Sequence, residues 1–146
     1  MSSHAGHAEP GFVRKWVFST DHKIIGLQYL FTSMFFLLFG FSLVLLIRWQ
    51  LANPGIPLPL LGVLVTPELY NQLGAMHGTI MVFLGIVPIG VGAFGNYVLP
   101  LQIGAADMAF PRWNMMSYWV YLLGGLIMLA SFFLPADVSR ATPEEP

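Results

Sequence analysis

Charged residues are absent from positions 24–47 of the chain. At about 1.5 Å of rise per residue, a helix of that length crosses the roughly 30 Å hydrocarbon layer of a bilayer with some tilt. Residues 49–72 break the apolar pattern with Pro54, Pro57, Pro59 and Pro67, although 58–65 are apolar enough to rest at the interface. A second uncharged run covers 73–99, unless His77 is protonated. Its glycines, Gly78, Gly85, Gly90, Gly92 and Gly95, predict close helix packing, and Pro88 is tolerated where neighbouring groups satisfy the carbonyl it frees. A third run, 114–134, starts beside Trp113 and carries Tyr118, Trp119 and Tyr121 as an expected interfacial aromatic belt, with Pro135 closing it. The predicted fold class is an all-α membrane protein of three transmembrane helices, without an internal repeat.

The basic residues predict an orientation. Arg14, Lys15, Lys23 and Arg112 fall on one side of the expected membrane, Arg48 and Arg140 on the other. By the positive-inside tendency, 1–23 form a cytoplasmic N-terminal segment and 24–48 the first helix, followed by an outer loop at 49–72. The second helix at 73–99 leads to an inner loop at 100–113, a third helix at 114–134 and an outer tail at 135–146. The first apolar run is too long for a signal-peptide core, and no small-residue cleavage site follows it, so it reads as a retained helix.

Composition narrows the chemistry. Of 146 residues, 56% are hydrophobic and 9% charged, and the net charge is -1, so no basic surface for nucleic acid is expected. Without cysteine there is no disulfide, thiolate metal site or iron–sulfur cluster. Nothing matches a phosphate loop, a Ser-His-Asp set or a HExxH zinc motif. The methionines, Met115 and Met116 included, read as packing.

Against this apolar background a few polar residues stand out. An ionisable group at the depth of His77 is costly and marks a candidate site. It either bridges helices by hydrogen bonds or ligates haem iron through a neutral imidazole. Met81 lies on the same helix face one turn on, so it cannot be the opposite axial ligand. His4, His7 and His22 all precede the first span, so a second ligand would come from outside this segment. Arg48 ends the first span on the same side as His77, either snorkelling to the interface or bonded to a haem substituent. Tyr70, two turns before His77, assists there or is an interfacial aromatic. Asp107 is flanked by Asn96 and Asn114 and sits in an unusually apolar loop; it is either a solvated carboxylate or the entrance of a proton path. The triplet Asp21-His22-Lys23 reads as a charged interfacial collar, with Ser19, Thr20 or Asp21 capping the first helix.

Several ordered motifs resemble the N-terminal part of subunit I of the haem-copper oxidases. They are Trp16-Val17-Phe18-Ser19-Thr20-Asp21-His22-Lys23-Ile24-Ile25-Gly26, Leu46-Ile47-Arg48, His77-Gly78 with Met81, Phe94-Gly95-Asn96-Tyr97, Ile103-Gly104-Ala105, and Asp107-Met108-Ala109-Phe110-Pro111-Arg112. The resemblance implies that the three helices belong to a bundle of about twelve. It makes His77 an axial ligand of a low-spin haem of a or b type, and Arg48 the arginine bonded to that haem's formyl group. Asp107 becomes the mouth of a proton-uptake channel whose entrance Asn96 and Asn114 line. Gln50 stands where a glutamate of a peripheral cation site is common, and Trp113 and Met115 flank Asn114 where the family more often has leucine or methionine and a second asparagine. High-spin haem and copper are expected only in the part of the subunit beyond these helices, so the chain alone is not expected to reduce oxygen. Expected partners are the remaining helices of subunit I or a complementary chain, oxidase subunits II and III, and membrane lipid, with no nucleic acid. The implied setting is respiratory electron and proton transport in a bacterial cytoplasmic (inner) membrane. A non-catalytic three-helix paralogue serving assembly or interaction is the alternative.

Overall fold

The computed structural model describes residues 11–59 and 61–132, and all regular structure among them is helical. A short helix α1 (Phe12–Trp16) precedes α2 (His22–Ala52). Helix α3 (Pro67–Thr79) continues without interruption through π-helical stretches at Ile80–Ile86 and Pro88–Phe94 into α4 (Gly95–Gln102). Helix α5 (Pro111–Ser131) follows. Three segments are long and apolar enough to cross a membrane: His22–Ala52, Pro67–Gln102 and Pro111–Ser131, referred to below as the first, second and third spans.

Local chemistry sets the helix ends. Asp21 caps the first span, its carboxylate accepting from the Lys23 backbone N–H at 2.9 Å. The helix runs four residues past Arg48 because nothing breaks it before Asn53, whose helical conformation the following Pro54 disfavours. The second and third spans begin at Pro67 and Pro111 rather than at 73 and 114, since proline at the first helical position lacks only an N–H that would be unpaired anyway. Thr66 completes the second start, accepting from Leu69 N–H at 3.3 Å. The expected end of the third helix at 134, Pro135, the 135–146 tail and residues 1–10 lie outside the described residues.

The second span packs against the first along its whole length. One apolar cluster gathers Phe36, Leu43, Leu58, Val65, Leu73, Ile80 and Leu84, so the connection between these spans folds back and buries Leu58 and Val65. A second cluster, Ile25, Tyr29, Ala93, Met115 and Tyr118, joins all three spans towards the other end. The spans approach closely where a side chain is missing: a Cβ on residue 92 would lie 2.5 Å from the Tyr29 ring. Large residues such as Phe31, Leu38, Phe83, Val91 and Leu123 remain exposed. That exterior suits lipid or neighbouring helices, which are as apolar as these side chains.

Pro88 falls in the middle of the second span. Its missing N–H would have served the Leu84 carbonyl four residues earlier in an α-helix. The Tyr121 hydroxyl of the third span donates to that carbonyl instead, at 2.7 Å.

Candidate functional site

The candidate residues form two groups. In the first, His77 reaches across to the first span, where its Nδ1–H donates to the Gly40 carbonyl at 2.8 Å. Gly40 permits this approach, since a Cβ there would stand 3.0 Å from Met81 Sδ. Met81 is thus occupied in packing. With Nδ1 committed as donor, the half-buried ring presents Nε2 as its acceptor nitrogen, and Nε2 has no hydrogen-bond partner among the described residues. A carbonyl that fixes the tautomer and orientation of an imidazole is the usual outer support of a metal-binding histidine. The helix-bridging and ligand roles are therefore compatible, one on each nitrogen.

Arg48 is not brought to His77. It lies eight residues beyond Gly40, about 12 Å along the axis of the first span, is exposed, and makes no hydrogen bond or ion pair among the described residues. Tyr70 packs against the apolar cluster of Leu43, Leu58 and Leu73, and its hydroxyl has no partner among the described residues.

The second group is at the opposite end of the second span. Asp107 lies in the loop before the third span, its side chain about half exposed at 48%. Its Oδ1 accepts from the Met108 backbone N–H at 2.7 Å and from His22 Nδ1 at 3.1 Å. The Met108 N–H holds the carboxyl below the usual carboxylate range; modest desolvation opposes this, and His22 adds to it through its ring and main chain. Asp107 does not bond to either asparagine. Those two meet each other: Asn114 Nδ2 donates to Asn96 Oδ1 at 2.6 Å, and Asn96 Nδ2 donates to the Gly92 carbonyl at 2.6 Å.

A cavity of about 570 Å³ lies beside the asparagine pair, its lining reaching from Met108 past Asn96 and Asn114 to Ser117, Tyr29, Pro88 and Tyr121; Asp107 is the neighbour of Met108 and does not itself line it. Its walls are mostly apolar, with hydroxyls at intervals. Tyr29 and Ser117 oxygens are 3.0 Å apart, and the Tyr121 hydroxyl lies 3.1 Å from Ser33 Oγ. Tyr118 bonds Thr32 at 3.0 Å. Tyr118 and Tyr121, expected as interfacial aromatics, thus turn their hydroxyls inward, to hydroxyls of the first span and to the freed Leu84 carbonyl of the second.

His22 is the neighbour of Asp107 that the triplet reading missed. Asp21 does cap the helix, but His22 is 3% exposed and turned into the bundle. The signal was in the helical phase: His22, Ile25, Gly26, Tyr29, Ser33, Phe36, Gly40 and Leu43 form the single buried face of the first span. The hydroxyls of Tyr29, Ser33 and Ser117 carried no sequence mark beyond that phase.

Three membrane-spanning helices, an imidazole with one nitrogen fixed by a neighbouring backbone, and a mostly apolar cavity beginning at the neighbour of a loop carboxylate define an integral membrane protein with polar groups gathered at two levels. Residues 24–144 match the family described as Cytochrome C and Quinol oxidase polypeptide I, and the chain belongs to that family. It is 45% identical over 137 residues to cytochrome c oxidase subunit 1 of Synechocystis sp., covering 91% of this chain and 24% of that protein. Identity is 45% over 136 residues with cytochrome c oxidase subunit 1 of Corynebacterium efficiens, covering 92% and 22%. It is 49% over 122 residues with heme-copper oxidase subunit I+III of Aeropyrum pernix, covering 84% and 14%. The chain therefore spans about a quarter or less of the length of these relatives.

Proposed function

We propose that this chain forms the part of a proton-pumping respiratory terminal oxidase that binds the low-spin haem and admits protons for reduction of oxygen to water. The observation that carries the haem reading is the His77 Nδ1–Gly40 bond, which leaves Nε2 as the nitrogen for iron. His77 would hold the iron, and Arg48 and Tyr70, toward the same end of the bundle, would meet the haem's periphery. The haem, of a or b type, supplies one-electron redox chemistry when bound. Its second ligand, the high-spin haem and copper are assigned to the remaining helices of subunit I or a complementary chain, with oxidase subunits II and III as further partners. One relative bears the name subunit I+III, which suits this assignment.

The proton reading rests on the cavity. Asp107, kept ionised by Met108 and His22, concentrates protons at the entrance. Asn96 and Asn114, locked together, hold the entrance walls of the second and third spans in fixed register. Beyond them the cavity has room for on the order of ten waters, and the hydroxyls of Ser117, Tyr29 and Tyr121 give such waters anchoring points. In this reading the N-terminus and the Asp107 loop face the cytoplasm of a bacterium and the chain lies in its inner membrane, following the side on which Arg14, Lys15, Lys23 and Arg112 gather.

The test is a reduced-minus-oxidised spectrum of the assembled complex, with His77→Ala beside the parent protein. The low-spin haem band is expected to disappear. Survival of that band in the assembled variant would refute the ligand assignment and leave a non-catalytic paralogue serving assembly or interaction. Asp107→Asn is expected to abolish pumping while retaining the haem band; unchanged pumping would remove the channel role.

A further inference from the structure

Asp107 belongs to a loop, and a loop carboxylate that is half exposed ordinarily samples several rotamers. Here two features restrain it. The Met108 N–H fixes Oδ1 locally, and His22, 85 residues away in sequence, donates to the same oxygen from the first turn of the first span. The imidazole is itself held: its side chain is 4% exposed, and its other nitrogen, Nε2, is buried without a hydrogen-bond partner. Such an unpartnered buried nitrogen is costly, so packing alone does not explain a histidine here; leucine would fill the space without that penalty. What histidine adds is a directed donor toward the loop.

We infer that His22 is a positioning residue for proton uptake: it ties the Asp107 carboxylate to the first span, so that the loop acid stays registered with the cavity that begins at Met108. The inference rests on the reading of Asp107 as the proton entrance. Within ion-pair distance of the His22 ring, among the described residues, are Asp107 and Asp21, the latter at 3.8 Å from Nδ1.

The experiment measures proton uptake against pH in the assembled oxidase carrying H22L, H22N or D107N, each normalised to haem content. Asparagine places an amide N–H near the position of Nδ1, whereas leucine fills the site without a donor. H22L is expected to slow uptake about tenfold, less than the hundredfold that a misplacement of 1 Å can cost, and to move the midpoint of the uptake profile to higher pH. H22N is expected to restore both to within about twofold of the parent. Uptake and midpoint unchanged in H22L, or H22N no better than H22L, would overturn the inference, since a merely structural histidine would change yield and leave the profile alone. If H22L does not assemble, H22N against H22Q decides, because glutamine carries its donor one atom further out; equal uptake in the two overturns the tie. D107N separates the two levels of argument. Slowed uptake in D107N with an unaltered H22L removes only the positioning role, whereas unaltered uptake in D107N removes the entrance reading as well.

Discussion

His77 and Asp107 are both ionisable side chains in apolar surroundings, and the protein treats them differently. His77 gives one nitrogen to a backbone carbonyl and leaves the other without a hydrogen-bond partner among the described residues; Asp107 uses one oxygen twice and stays half exposed. The lowered proton affinity of Asp107 has a consequence for stability. A carboxyl whose folded value lies below its ordinary value of 3.8 stabilises the fold above that pH, and the contribution is lost as pH falls through the lower folded value. Asp107→Asn is therefore expected to lower Tm slightly at neutral pH, on the order of one degree for so exposed a group. The difference from the parent should shrink towards zero below about pH 4. Melting curves of both proteins across pH 3–7 check this, and a gap that widens with acid would contradict it.

Among the elements, the second span departs most from regular geometry. Its two π-helical stretches flank Val87, and its proline is compensated from the third span. Removing the Tyr121 hydroxyl leaves the Leu84 carbonyl short of a donor, at a cost of about 1–2 kcal/mol, given the modest worth of hydrogen bonds between helices in a membrane. Pro88→Ala supplies a backbone N–H that competes for the same carbonyl. In a double-mutant cycle, Tyr121→Phe is therefore expected to cost less in the Pro88→Ala background than in the parent. Equal costs would show that the two residues are not coupled.

The same elements show what was readable from the sequence. Span existence was legible because length and absence of charge are properties of one dimension. The starts at Pro67 and Pro111 were less so, because proline both breaks helices and begins them. The polar residues His77, Asp107, Asn96 and Asn114 stood out against apolar runs. Their partners did not: the Gly40 carbonyl, the His22 ring and the Tyr29 hydroxyl are chosen by how helices are phased and packed. The separation of Arg48 from His77 likewise depends on where His77 meets the first span.

At the scale of the whole molecule, an apolar exterior surrounds a thin polar seam. In the most apolar stretches of the three spans only 22%, 33% and 17% of the residues are buried, so stability in isolation is expected to be low and to rise with partner helices or lipid. Orientation is open to direct labelling, because the chain has no cysteine of its own. Single replacements Ala106→Cys and Ile56→Cys, both at exposed loop positions, are expected to react with an impermeant maleimide from opposite faces, Ala106→Cys from the cytoplasmic one. Labelling of both from one face, or of Ala106→Cys from the outside, would invert the proposed sidedness.

Gly92 carries a consequence for the cavity as a whole. Its carbonyl anchors Asn96, and its bare Cα seats the Tyr29 ring whose hydroxyl meets Ser117. The same residue therefore touches the cavity lining at two points. A single methyl group there would displace the Tyr29 ring, so the width of the cavity beside it is set to a tolerance of one hydrogen atom.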